Sequence, residues 1–182
     1  MNLKVALCDD NQAEQELLRS FLTKYELGHD IDFQIATFSN GEELLQSYSQ
    51  SGCFHLLLLD MEMPNMNGLD AAKYIRKNID KNVHIIFISH YPEYMQQSMH
   101  VRPFFYLNKP VTYETFQDIL TEFLQELVEN ETFITLVHTN LNWIVNTFLD
   151  NFFKVIFTIL HRCLITQRGM YPAMIIPVYI VP

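Results

Sequence analysis

Four apolar runs in the chain end on side chains capable of chemistry. Asp9 and Asp10 follow LKVALC, Asp60 follows FHLLLL, Ser89 closes VHIIFIS and Lys109 closes FFYLNK. A carboxylate at the end of an apolar run is costly unless its surroundings use the charge. Three carboxylates held close raise one another's pKa values unless a cation neutralises them. Hard oxygen donors with little else suit Mg2+, which accepts one or two carboxylates and keeps several waters. Lys109 supplies a point charge and Ser89 a hydroxyl donor, both of which the equatorial oxygens of a transferred phosphoryl group need. Asp60 then reads as a carboxylate nucleophile that forms an acyl phosphate. The loop MEMPNMNG (61–68) lets a backbone carbonyl near Glu62 turn toward the metal, with Pro64 and Gly68 fixing the turn.

Each residue alone has a plainer reading. Asp9 and Asp10 can cap a helix, Asp60 can be a loop residue, Ser89 a turn residue and Lys109 a solvated strand end. Those readings would have to coincide at four strand ends in chain order, which explains the set poorly.

For the five side chains to meet, the runs must be strands of one sheet. The stretches 3–8, 31–38, 54–59, 83–89 and 104–109 read as strands. Between them apolar residues recur at helical spacing. Ala13, Leu17, Leu18, Phe21, Leu22 and Tyr25 mark one helix, which Asn11 and Glu14 open as a capping box and Gly28 closes. Ser39 and Glu42 form a second capping box for a helix over 41–50. Helices also read over 69–77 and, after Pro92, over 92–99. Thr112 caps a last helix with Tyr113, Phe116, Ile119, Leu120, Phe123, Leu124, Leu127 and Val128 on its apolar face. Strands 54–59 and 83–88 are apolar on both faces, as strands covered by helices on both sides must be. Strict alternation of strand and helix implies an α/β fold, a flavodoxin-like doubly wound sheet of five parallel strands. Such sheets gather chemistry at the carboxyl ends of their strands.

Composition bounds the rest. The 182 residues carry a net charge of −9, which argues against coating nucleic acid through the whole surface. Residues 1–131 hold 9 Lys+Arg against 20 Asp+Glu, and residues 132–182 hold 3 against 1, so a domain boundary is expected near residue 131. Cys8, Cys53 and Cys163 are too scattered for a disulfide framework and read as small buried thiols in a reducing cytosol. No secretory leader is visible at the N-terminus, so a cytoplasmic location is expected. The seven histidines show no metal spacing.

Taken in order, CDD, LLLLDMEMPNMNG, IIFIS and FFYLNKP resemble the receiver domain of two-component response regulators over residues 1–130. The resemblance implies phosphorylation of Asp60 by a sensor histidine kinase, followed by slow autodephosphorylation rather than enzymatic turnover. It implies Mg2+ held by Asp10, Asp60 and the Glu62 backbone carbonyl, with Asp9 acting through water. Ser89 and Lys109 would grip the phosphoryl group, and Tyr106 matches the aromatic whose rotamer reports the switch, although an aromatic in a strand is more often packing. It also implies a cis peptide at Lys109–Pro110 and a surface over residues 92–130 that rearranges and can form a homodimer. Glu62 and Tyr91 depart from the commonest family pattern. Both would flank the phosphoryl group, hinder the attacking water and lengthen the phosphorylated lifetime.

HYPEYMQQSMHVRPFFYLNKP (90–110) and ETFITLVHTNLNWIV (131–145) resemble the LytTR subfamily of transcription regulators, whose output domain binds DNA. The match stops near Asn146. Residues 147–182 contain one glycine and the cations Lys154, Arg162 and Arg168, poor equipment for phosphate contacts. Three readings stay open: a truncated or frame-shifted LytTR remnant, a diverged interaction segment, or a membrane-touching tail. Asp150, Lys154, His161 and Arg162 interrupt any spanning run, so no membrane insertion is expected. Two rivals compete with a DNA-binding regulator. One is a receiver that acts through protein contacts alone. The other is an aspartyl-nucleophile phosphohydrolase, with Glu62 as its one candidate second carboxylate and no cap insertion.

Overall fold

A computed structural model describes residues 1–129 and, past them, the single position Leu149. Five strands alternate with helices: β1 (Asn2–Cys8), α1 (Gln12–Glu26), β2 (Asp32–Phe38), α2 (Gly41–Ser51), β3 (Leu56–Asp60), α3 (Gly68–Asn78), β4 (His84–Ser89), α4 (Tyr94–Ser98) and β5 (Phe105–Asn108). A 3-10 turn, Met99–Val101, continues α4, and α5 occupies residues 113–129. All pairings are parallel and the order is β2-β1-β3-β4-β5. The chain leaves β1 toward β2 on one side and returns to β3 on the other, so the switch point lies between the ends of β1 and β3. Asp9 and Asp60 sit there.

The period of two along each strand divides the core between the faces. Leu3, Val5, Leu7, Leu56, Leu58, Ile86 and Ile88 pack with α1 and α5, through residues such as Leu22, Phe116 and Phe123. Ala6, Cys8, Leu57, Leu59, Ile85 and Phe87 pack with α2 and α3, through Leu44, Ala72 and Ile75. The four leucines before Asp60 are therefore buried alternately on opposite faces. Each contributes roughly 1.5–3 kcal/mol, and together they hold the residue that follows at a set depth.

Several expectations are corrected in detail. Ala13 and Leu17 of α1 are exposed, and the buried stripe is Leu18, Leu22 and Tyr25. Asn11 does cap α1, but through Ala13 N–H at 2.9 Å. The capping box of α2 is one residue later than expected: Asn40 Oδ1 accepts from Glu43 N–H at 3.0 Å, and Glu43 accepts from Ser39 N–H at 2.9 Å. Val128 is exposed. Cys8 is buried, whereas Cys53 is exposed. The cis peptide implied at Lys109–Pro110 is present. No described helix is long and apolar enough to cross a membrane. Met1–Leu127 forms a compact unit of its own. The expected boundary near residue 131, the LytTR-like stretch 131–145, the apolar segments beyond it and Cys163 lie outside the described residues.

Candidate functional site

The carboxyl ends of β1, β3, β4 and β5 bring the sequence-predicted side chains together. Asp9, Asp10 and Asp60 each offer a carboxylate oxygen, and these oxygens lie within 4.8 Å of one another. Lys109 reaches them from the end of β5. Its Nζ donates to Asp9 Oδ2 at 2.7 Å and stands 3.4 Å from Asp60 Oδ2. The Lys109 side chain is 3% exposed, that of Asp9 4% and that of Asp60 11%, so this is a buried charge cluster. Asp10 is exposed and lines the groove above it.

Local structure places each group. Asp9 Oδ1 accepts from Asn11 N–H at 2.8 Å, and Asp9 N–H donates to the Phe38 carbonyl of β2. Gln15, which sequence reasoning passed over, donates to the carbonyls of both Asp9 and Phe38 and clamps α1 onto the two strand ends. Lys109 N–H donates to the Ser89 carbonyl at 2.8 Å, joining the ends of β4 and β5. Ser89 is fully buried, and its hydroxyl oxygen accepts from Tyr91 N–H at 3.1 Å. Tyr106 OH donates to the Tyr91 carbonyl at 2.6 Å and lies beside the Ser89 hydroxyl. The Glu62 N–H donates to the Asp60 carboxylate, while the Glu62 carboxylate accepts from Tyr94 OH at 3.1 Å. Tyr91 is 42% exposed, and its ring packs edge-to-face on Tyr94.

Charge in the cluster is unbalanced: three carboxylates face one ammonium. Burial pushes the Asp60 carboxyl up to about 6. Lys109 opposes this, Asp9 adds to it, and the hydrogen bonds from Glu62 and Lys109 oppose it. For Lys109, burial pulls the ammonium down, but the Asp9 hydrogen bond and the charges of Asp60 and Asp9 outweigh it and the net shift is upward. Burial drives the Cys8 thiol well above its usual range, and its S–H points at Met63 Sδ 3.6 Å away, so it is an inert core group. An excess of negative charge on clustered oxygen donors, with one donor open to solvent, fits a hard divalent cation.

Residues 5–121 match the response regulator receiver domain. The chain belongs to that family. Over 126 residues the receiver is 30% identical to an uncharacterized response regulatory protein of Yersinia pestis, an alignment that covers 69% of this chain and 50% of the relative. It is 30% identical over 119 residues to the sensory transduction protein LytT of Oceanobacillus iheyensis, covering 64% of this chain and 46% of that one. The chain thus spans about half the length of these relatives. Among solved structures it resembles the response regulator TrrA of Thermotoga maritima in complex with Mg(2+)-BeF. That match has 29% identity and a TM-score of 0.57, and covers 66% of this chain and 98% of the other. Receiver domains are phosphoacceptors, and the buried Asp–Lys cluster is where this one carries its acidic pocket.

Proposed function

We propose that Asp60 accepts a phosphoryl group from a sensor histidine kinase and that this switches a transcription-regulating output. The observation that carries the reading is the Lys109 ammonium buried between Asp9 and Asp60. An Asp60 oxygen forms the new bond to phosphorus as the donor's bond to its leaving group breaks, and the leaving group takes up a proton. Lys109 and Ser89 bind the phosphoryl oxygens. Asp10, Asp60 and the Glu62 backbone carbonyl would hold Mg2+, with Asp9 acting through water. When bound, the ion supplies positive charge that offsets the carboxylates and the incoming phosphoryl oxygens. Tyr106, already beside Ser89, is the residue whose position follows that of the hydroxyl. The LytTR-like stretch and the similarity to LytT support a DNA-binding output.

Acetyl phosphate or phosphoramidate with Mg2+ should add one phosphoryl group to the parent and none to Asp60→Asn, read by mass spectrometry. An adduct that persists in the variant removes the proposal. Glu62 and Tyr91 border the site, and we expect Glu62→Gln and Tyr91→Ala to dephosphorylate faster than the parent. Equal decay rates for all three proteins would rule that out.

A second reading, action through protein contacts without DNA, draws on the exposed apolar residues Met95, Met99 and Phe105 of α4, its 3-10 continuation and β5. These belong to the 92–130 surface expected to pair in a homodimer. Salt-dependent, phosphorylation-enhanced DNA binding favours the first reading, and no DNA affinity in either state favours the second.

A further inference from the structure

The Glu62 carboxylate is exposed, yet it has a side-chain partner. It is held across the groove by a tyrosine 32 residues further along the chain. Asp10, Glu62, Met63, Pro64, Tyr94 and Gln97 line this groove, a cavity of about 730 Å3 that opens onto the acidic cluster through Asp10. Tyr94 OH donates to Glu62 Oε1 at 3.1 Å. The Tyr94 ring is itself fixed: it meets Tyr91 edge-to-face at 5.9 Å and 71°, and packs against the core beneath α2 and α3. A tyrosine has few torsions to order, so a ring anchored this way presents its hydroxyl at little entropic cost. Lys73, on the groove wall, bonds Asp70 at 3.1 Å, and the donor that Glu62 meets is the tyrosine.

The geometry points to Tyr94 as a positioning residue. It keeps the Glu62 carboxylate on the groove wall, beside the approach to Asp60, where it hinders the water that would hydrolyse the acyl phosphate. This rests on the phosphoacceptor reading above. A glutamate released from Tyr94 keeps three rotatable side-chain torsions, so it samples solvent and stops screening the site. The same bond ties the loop after β3 to the first residue of α4, so the lifetime of the phosphorylated state and the placement of α4 depend on one hydroxyl.

The experiment is a double-mutant cycle on dephosphorylation, with each protein loaded from acetyl phosphate and Mg2+ and the donor then removed. Tyr94→Phe keeps the ring packing and removes the donor, and a thermal melt checks that it folds. We expect Tyr94→Phe to lose its phosphoryl group several-fold faster than the parent, and the same change to have no effect in a Glu62→Ala background. Gln96→Ala, on the exposed side of α4, should decay at the parent rate. Decay of Tyr94→Phe at the parent rate overturns the inference. So does equal acceleration with and without Glu62, or acceleration in Gln96→Ala, since either would mean general loosening of α4. A parent protein that takes no phosphoryl group on Asp60 overturns the phosphoacceptor reading and this inference with it.

Discussion

Asp60→Asn, free of divalent cations at pH 7, should resist urea better than the parent by about 1–2 kcal/mol, with the difference gone by about pH 3. The reason is the burial of a carboxylate in a cluster already carrying more negative charge than Lys109 can balance. Burial lifts the Asp60 carboxyl from 3.8 to about 6 in the folded state. Below the unfolded value both states hold the proton, and the group leaves stability unchanged. As pH rises from there toward 6, the unfolded chain ionises first, so the folded state binds more protons and stability falls. Above about 6 the loss is complete. Each tenfold difference in proton affinity corresponds to roughly 1.4 kcal/mol, and the partly exposed carboxylate realises less than the full amount. Asparagine keeps the shape without the charge and escapes the loss. Adding Mg2+ should reverse the order, because a ligand that binds the folded state stabilises it by mass action and the variant lacks one of its donors. A parent more stable than Asp60→Asn at pH 7 without metal would show that the site tolerates its own charge, contrary to this argument.

The polar ends of apolar runs were legible in the sequence because strand burial and sheet topology leave few places for them to go. Asp9, Asp60 and Ser89 end runs whose alternate residues are buried on opposite faces, and Lys109 follows the edge strand that holds buried Leu107, so reading the end of each run locates the site. The caps were less legible. In SNGEE, Ser39 with Glu42 and Asn40 with Glu43 satisfy the same spacing, and the choice falls to contacts remote in sequence. Gly41 N–H donates to the Met66 carbonyl at 2.9 Å, and a Cβ on Gly41 would come within 2.8 Å of both Ala71 Cβ and Met66 Cγ. That packing sets where α2 starts. The partnership of Glu62 with Tyr94 was not legible at all, since it depends on how the loop after β3 and the start of α4 come together. Asn65, rather than Gly68, takes the left-handed conformation in the loop after β3, with φ 63°. An asparagine tolerates that region, which frees the glycine for a different task.

Among the described glycines, Gly68 is where an added methyl group would meet its neighbours most closely. Gly68→Ala should cost about 3 kcal/mol or more of stability and lower the phosphorylation rate of Asp60 at least about tenfold. Gly68 is buried at the first position of α3, where Asn67 caps the helix by accepting from Asp70 N–H at 2.8 Å. A Cβ there would lie 2.0 Å from the carbonyl oxygen of Asp60 and 3.0 Å from its carbonyl carbon. Both are main-chain atoms of Asp60, the proposed phosphoacceptor, and neither can rotate away as a side chain would. Either α3 backs off from the sheet, opening the core around Leu69 and Ala72, or the end of β3 moves. If β3 moves, the Asp60 carboxylate shifts relative to Lys109 Nζ, now 3.4 Å away. The two routes are separable. Retreat of α3 lowers stability and spares the rate, whereas displacement of Asp60 lowers both. The joint loss expected here follows from the cap, which holds the start of α3 in place and directs the strain into the strand. Gly28→Ala is the control, because its Cβ would meet only the Tyr25 carbonyl oxygen, at an ordinary 3.8 Å. Chemical denaturation and the acetyl phosphate assay on the three proteins decide it. A Gly68→Ala protein as stable and as readily phosphorylated as Gly28→Ala would mean that the close approach of α3 to Asp60 does not position that carboxylate.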